Sequence, residues 1–238
     1  MKKLLWLVGC LPLIWTALVL QWLPDEVPMH YDIAGQVDRW GSKYESLLVA
    51  GFILVFMLFC QGMTAHHERQ AVRAVTEREQ QAARTNAKIL TVTGLCTVLV
   101  LTVVQGVLLY NAYTAAGSRS TESTVDMGKL LCLLLGGLFM VMGNFMPRTK
   151  RNSLLGIRLR WSRYNDNTWR KSNLIGGWAM AGAGLLMLLT ALFTQGVVAI
   201  GLMLGYLLVV IGVTVVGAYR VYRQEITASS STDGGKRR

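Results

Sequence analysis

Six long apolar runs constrain this chain more than any other feature of its sequence. They occupy residues 4–23, 45–64, 88–112, 127–146, 174–194 and 197–219. Each run is long enough for a helix to cross a hydrocarbon core of about 30 Å. Backbone groups in lipid must be hydrogen-bonded within their own segment, so the runs predict helices. We expect an all-α fold: a polytopic membrane helix bundle with six transmembrane helices.

The distribution of basic residues predicts the orientation of this bundle. Lys and Arg are frequent before the first run, between the second and third, between the fourth and fifth, and after the sixth. The alternate segments hold only Arg39, Lys43 and Arg119. Since basic residues favour the cytoplasmic side, both termini are expected inside (N-in/C-in). The net charge of +11 is then a mark of membrane orientation, and we expect no direct contact with nucleic acid.

The chain divides into two membrane domains and a tail. Residues 1–112 form an N-terminal membrane domain with helices 1–3. Residues 113–226 form a second domain with helices 4–6. The last segment, 227–238, is small and polar and is expected to be disordered. Residues 65–87 lack Gly and Pro, are rich in Ala, Gln, Glu and Arg, and predict a cytosolic helical hairpin.

The outer loop 24–43 is acidic and contains a candidate site. Pro24 stops the first helix. His30 and Asp32 are two residues apart and share one face of an extended chain. A histidine and a carboxylate together can bind a divalent metal or move a proton. Three interpretations stay open: this metal site, a lid held by hydrogen bonds, and a surface that recognises an external ligand. No cofactor is expected.

The cytosolic basic loop 147–172 is the most polar long stretch of the chain. One interpretation is anchoring, with Arg and Lys on anionic lipid headgroups and Trp161 and Trp169 at the interface. The other is an ordered loop folded against the bundle, which its neutral polar residues favour because Asn is typical of turns and caps. These are Asn144, Asn152, Asn165, Asn167 and Asn173. Asn144, near the end of helix 4, is expected to be buried and to bond a neighbouring helix.

Small residues recur at four-residue spacing in the last two helices. The pairs are Gly177 with Ala181, Ala179 with Ala183, and Gly201 with Gly205. Such spacing lets helices approach closely, so it predicts packing between helices 5 and 6. Homodimerisation through the same residues is an open alternative.

Two segments resemble a known family. "LPDEVPMHYDIAGQVDRWGSK" is similar to the membrane domain that often precedes an SdpI-type segment, in Leu23, Pro24, Pro28, His30, Gly35, Asp38 and Lys43. "GNFMPRTKRNSLLGIRLRWSRYNDNTWRKSNLIGG" resembles the SdpI signature, in Gly143, Asn144, Pro147, Asn152, Gly156, Ile157, Arg158, Trp161, Trp169, Asn173 and Gly177. The family usually has Thr-Pro-Trp-Thr after Gly-Ile-Arg, and this chain has Leu-Arg-Trp-Ser there, without the proline.

The resemblance implies an immunity protein in the cell membrane of a Gram-positive bacterium. Such proteins protect against a secreted antimicrobial peptide toxin that arrives at the outer face. The founding member is also a receptor that holds a transcriptional repressor at the membrane, here on the basic inner face. The implied functional surface comprises Pro28, His30, Gly35, Asp38, Asn144, Pro147, Asn152, Gly156, Arg158, Trp161, Trp169 and Asn173.

The alternative function is an intramembrane enzyme or a small transporter that uses the His30–Asp32 pair. The sequence has no HExxH, no GxSxG and no paired carboxylates inside the apolar runs. We therefore expect a protein without catalytic activity.

Overall fold

The computed structural model describes residues 2–118, 123–151 and 155–235. Its helices are α1 (Lys2–Val19), α2 (Ser46–Arg73), α3 (Glu77–Ser118), α4 (Met127–Phe145), α5 (Asp166–Phe193) and α6 (Gly196–Gly235). Six helices in the described part are long and apolar enough to cross a membrane. The prediction of a six-helix membrane bundle is confirmed. The orientation stays a prediction, and "inner" and "outer" below follow it.

Helices α1, α2 and α3 pack around an apolar core, and the buried side chain of Gln105 links the three helices. Leu5, Ile53 and Val98 are among the fully buried apolar residues of this core. Gln105 is 1% exposed, and its Nε2 donates to Thr16 Oγ1 at 3.2 Å and to the carbonyl of Ser46 at 3.1 Å. These hydrogen bonds join all three helices, because an amide buried in an apolar core must find partners.

The outer loop forms a β-hairpin that the all-α prediction did not include. Strands β1 (Glu26–Tyr31) and β2 (Val37–Ser42) pair antiparallel. At the turn, Asp32 Oδ1 accepts from the backbone N–H groups of Ala34 and Gln36, and Gly35 adopts a φ of 83°. Val27 is buried against Leu109 of α3, which fixes the hairpin on the bundle.

Helices α4 and α5 approach each other through glycines. A Cβ added at Gly143 would lie 2.6 Å from the carbonyl oxygen of Gly177, and one at Gly136 would lie 2.9 Å from that of Gly184. The two pairs are seven residues apart on each antiparallel helix, so they fall on one face of α4 and one face of α5. Only glycine leaves room for backbones this close.

Helices α5 and α6 pack together as predicted, in an apolar cluster that includes Met187 and Met203. The small-residue positions Gly177, Gly201 and Gly205 do not form that contact, which corrects the predicted means of packing. Gly177 faces α4, as does Ala181, whose backbone a Cβ at Gly143 would meet. Gly201 and Gly205 are exposed, and a Cβ at either would meet nothing within 4 Å. The sequence spacing identified close-packing positions on α5, but α4 supplies the matching glycines.

Two helices extend beyond their apolar runs at the inner end. Residues 65–87 span the end of α2, three connecting residues and the start of α3, which form a helical hairpin. Helix α6 continues to Gly235, so residues 227–235 are helical where disorder was predicted, and residues 236–238 lie outside the described residues. No Gly or Pro interrupts residues 218–233, and lengthening an existing helix costs less than nucleating a new one.

Candidate functional site

The loop between α4 and α5 is pinned to the first turns of α5 by two buried side chains. Trp169 is 3% exposed, and its Nε1 donates to the carbonyl of Thr149 at 2.9 Å. Asn173 is fully buried. Its Oδ1 accepts from the N–H of Ile157 at 2.8 Å, and its Nδ2 donates to the carbonyl of Trp169 at 2.9 Å. The first part of the loop and its middle are therefore both held against α5.

Gly156 makes this arrangement possible. Its φ of 88° lies in the left-handed region that favours glycine. A Cβ at this position would overlap Asn173 Oδ1, the acceptor for the next residue in the chain. Further along, the buried Ser162 donates to the carbonyl of Ile157 at 2.7 Å, which folds the loop back on itself.

The end of the loop is tied to α6 as well as to α5. Asn165 caps α5, because its Oδ1 accepts from the N–H of Thr168 at 2.8 Å. The side-chain amides of Asn165 and Asn167 donate to the carboxylate of Glu225 on α6, at 3.1 and 2.6 Å. The sequence did not point to Glu225, because no motif surrounds it and its partners lie about 60 residues earlier in the chain.

Asn86 joins the N-terminal helices to this loop and was also missed. It is 3% exposed on α3. Its Oδ1 accepts from the N–H of Lys150 at 3.0 Å, and its Nδ2 donates to the carbonyl of Lys150 at 3.3 Å. An ion pair between Arg78 and Asp166, at 3.0 Å, makes a second link from α3 to α5. The one sequence feature that could have pointed to Asn86 is its position as a polar residue just before the apolar run that starts at residue 88.

Replacing Asn86 with alanine is expected to weaken the connection between the two halves. The variant removes both hydrogen bonds between the Asn86 side chain and the backbone of Lys150, and each such bond contributes about 0.5–1.5 kcal/mol. The thermal unfolding midpoint of the purified protein in neutral detergent should fall. Asn144→Ala removes the same side chain from an exposed position of α4 and should leave the midpoint unchanged. Equal midpoints for the two variants would contradict the role of Asn86.

The other predicted residues of the inner surface have different environments. The expectation that Asn144 is buried is wrong, because Gly143 faces α5 and the next residue is turned about 100° away from that contact. Pro147 packs against Gly177. Arg158 is exposed on the loop. Asn152 lies outside the described residues.

The structure also shows which polar residues of the outer hairpin are hydrogen-bonded to each other. His30 Nδ1 lies 2.6 Å from Asp38 Oδ1 across the two strands, so two residues of the N-terminal motif are paired. Asp32, which one of the three open interpretations joined to His30, caps the turn instead. Within the described residues, no group of three or more His, Cys, Asp or Glu is placed to hold a metal ion. Pro28 is buried at the base of the hairpin.

An aromatic groove of about 470 Å³ lies between α1 and α3 beside this hairpin. Trp15 and Trp22 line one side, and Tyr110 and Tyr113 line the other. Gly106 leaves space for the Trp15 ring, since a Cβ there would lie 2.8 Å from it. The groove adjoins the acidic hairpin, because Leu109 lies both in the groove and in the apolar cluster beneath Val27.

Six apolar helices with a folded polar segment at each end define a multi-pass membrane protein whose polar chemistry lies at its two surfaces. Residues 148–218 match the SdpI/YfhL protein family, and residues 7–55 match a domain of unknown function, DUF1648. The second half of the chain therefore contains an SdpI-type segment, and the two matches together support membership of the SdpI-type family, which suggests a membrane immunity protein. No curated protein and no solved structure matches the chain.

Proposed function

We propose that this protein protects a bacterial cell against a secreted, membrane-active peptide toxin. The observation that carries the proposal is the SdpI/YfhL match over residues 148–218. Several motif residues of that region form one hydrogen-bonded unit, with Asn173 at its centre and Gly156 and Trp169 against it. Because these motif residues contact one another directly, their arrangement supports a role that the family shares.

The outer hairpin and the aromatic groove are the proposed contact surface for the toxin. Residues 24–45 hold five carboxylates and two basic side chains, so this segment is acidic in an otherwise basic chain. Such a surface complements a cationic peptide, and complementary charge speeds association. The neighbouring groove offers aromatic area for the apolar side chains of the same peptide.

The inner surface is the proposed docking place for a repressor. Arg158 and Arg160 are exposed on the basic loop and complement an acidic patch of a partner protein. Asn86 and the Arg78–Asp166 ion pair connect α3 to this loop, and the outer part of the same helix packs beneath the hairpin. Helix α3 therefore offers a physical connection between the two surfaces.

The test is to express the protein in a sensitive Gram-positive host and challenge it with a panel of secreted cationic peptide toxins. Wild type is expected to restore growth. Glu26→Gln with Asp38→Asn should reduce protection, because two outer carboxylates are lost. Arg158→Gln with Arg160→Gln should keep protection and abolish recruitment of a fluorescent repressor to the membrane.

The matched control removes two carboxylates from the inner hairpin, with Glu68→Gln and Glu77→Gln, and should protect like wild type. Membrane levels are compared by immunoblot for every variant. No protection against any toxin by wild type at normal abundance would overturn the proposed function.

A further inference from the structure

A large polar cleft lies at the inner end of the bundle, between its two halves. Its volume is about 1120 Å³. One wall is the first part of α3, from Thr76 to Thr85. The other is the chain from Pro147 to Arg151 and the first turn of α5, and the buried Trp169 is part of the lining.

Basic side chains outnumber acidic ones in this cleft. Arg78, Lys150, Arg151 and Arg170 line it, with the carboxylates of Glu79 and Asp166, so four positive charges face two negative ones. Asp166 is shared between two arginines, with Arg78 Nη2 at 3.0 Å and Arg151 Nε at 3.7 Å. The shared carboxylate holds a guanidinium from each half of the protein close to the other.

The carboxylate of Glu79 caps the start of α3. It accepts from the N–H of Thr76 at 3.4 Å, while Thr76 Oγ1 accepts from the N–H of Glu79 at 3.3 Å. This reciprocal pair caps the start of α3. The carboxylate is thereby directed at the helix terminus, which leaves the arginines and Lys150 to set the charge of the cleft.

Two helix N-termini also line the cleft, and each is capped by side chains of its own segment, Thr76 with Glu79 at α3 and Asn165 at α5. Helix α3 begins at Glu77 and helix α5 begins at Asp166, and the first turns of both line the cleft. An arginine guanidinium matches phosphate oxygens with two parallel hydrogen bonds.

A smaller recess of about 430 Å³ continues from the cleft and shares Glu79, Ala82 and Arg151 with it. Arg73 lines the recess and adds a fifth basic side chain. His67, which also lines it, is 3% exposed, and its buried Nε2 has no hydrogen-bond partner among the described residues. The basic surface thus extends from the loop to the end of α2.

We propose that this cleft binds a phosphate group, carried either by an anionic lipid headgroup or by a soluble phosphate compound. Thr85 and Pro147 lie beside the ends of their apolar runs, at the expected headgroup level. Thr76 is twelve residues before the run that starts at 88, about 18 Å further out along a helix. The cleft therefore opens toward both sources of phosphate.

Phosphate in the cleft would contact α3 and α5 at the same time. It would bridge Arg78 of the N-terminal half and Arg151 of the SdpI-type half, the two guanidiniums that Asp166 already holds close together. The proposed phosphate site rests on the charged side chains that line the cleft and not on the proposed function.

The experiment measures phosphate binding by the purified full-length protein in neutral detergent. Inorganic phosphate is titrated against sodium chloride at equal ionic strength, and the thermal unfolding midpoint is followed, since a ligand of the native state raises it. In a second arm, native mass spectrometry compares retained phosphatidylglycerol with retained phosphatidylcholine. Wild type is expected to be stabilised by phosphate beyond chloride, to retain phosphatidylglycerol preferentially, or both.

Arg151→Gln with Arg170→Gln is the cleft variant, and the control is Arg220→Gln with Arg223→Gln on the exposed surface of α6. The cleft variant should bind at least about tenfold more weakly, given that each charge-assisted hydrogen bond contributes more than a neutral one. The control should bind like wild type. If the double variant does not fold, Arg170→Gln alone should weaken binding severalfold.

The two arms identify the source of the phosphate. Stabilisation by inorganic phosphate alone indicates a soluble ligand, and selective retention of phosphatidylglycerol alone indicates a headgroup. The proposal is overturned if wild type responds to neither ligand, if the cleft and control pairs weaken binding equally, or if Arg170→Gln in a folded protein leaves binding unchanged.

Discussion

Replacing Gly156 with alanine is expected to unfold the inner loop and to cause one of the largest losses of stability available to a single methyl group. The backbone there has a φ of 88°, and a left-handed conformation costs a non-glycine residue about 1–2 kcal/mol. The new Cβ would also overlap Asn173 Oδ1. Displacing that oxygen leaves the buried N–H of Ile157 unsatisfied, which adds about 1–3 kcal/mol.

Alanine substitutions at two other glycines distinguish the cost of backbone strain from the cost of the lost hydrogen bond to Asn173. Gly35 has nearly the same φ, 83°, but a Cβ there would meet its nearest atom only at 3.9 Å, so Gly35→Ala tests backbone strain alone. Gly182 is helical and exposed, and nothing lies within 4 Å of an added Cβ. Alanine there should be neutral or slightly stabilising, because it favours helix.

The measurement is the thermal unfolding midpoint in detergent, together with abundance in the membrane. The expected order of midpoints is Gly182→Ala highest, then Gly35→Ala, then Gly156→Ala. A Gly156→Ala variant as stable as Gly35→Ala would show that the overlap with Asn173 is relieved without cost, and the importance assigned to that hydrogen bond would be wrong.

Replacing Gly143 with alanine is expected to force α4 and α5 apart. A Cβ would lie 2.6 Å from the carbonyl oxygen of Gly177 and 2.7 Å from the backbone nitrogen of Ala181. Both are backbone atoms, so no side-chain rotation can relieve the contact. Overpacking of this kind typically costs about 1–3 kcal/mol, and separating the helices also loosens Pro147, which packs against Gly177.

Gly137→Ala is the matched control on the same helix, because a Cβ there would meet nothing within 4 Å. The unfolding midpoint of Gly143→Ala should fall well below that of Gly137→Ala, which should equal or exceed wild type. The two variants add the same methyl group to α4, so equal midpoints would mean that α4 and α5 do not pack through Gly143.

Both variants act where motif residues meet the packing of the bundle. Gly143, Gly156 and Asn173 belong to the SdpI-like signature, and in the structure all three hold the loop and its helices in place. A substitution at these positions is therefore expected to reduce protein levels before it affects any partner. Exposed residues such as Arg158 are better suited to separate binding from folding.

The residue types of the candidate site could be read from the sequence, but the contacts between those residues could not. The abundance of Asn in the basic loop predicted an ordered segment, and Asn165 and Asn173 do order it. The same reasoning placed Asn144 in a buried contact, which was wrong, because the orientation of one residue on α4 depends on which face meets α5. Of the three interpretations left open for the outer loop, the one that joins His30 to Asp32 is not supported, since the hairpin register brings Asp38 to His30.

The sequence by itself determined the six helices and their approximate positions. This follows because spanning length and apolar character belong to single segments, and a backbone in lipid must satisfy its hydrogen bonds within the segment. The tertiary structure alone decided that Asn86 binds Lys150, that Glu225 holds the start of α5, and that α4 supplies the glycines facing α5. These contacts join residues far apart in the chain, and their partners are fixed only when the helices have packed.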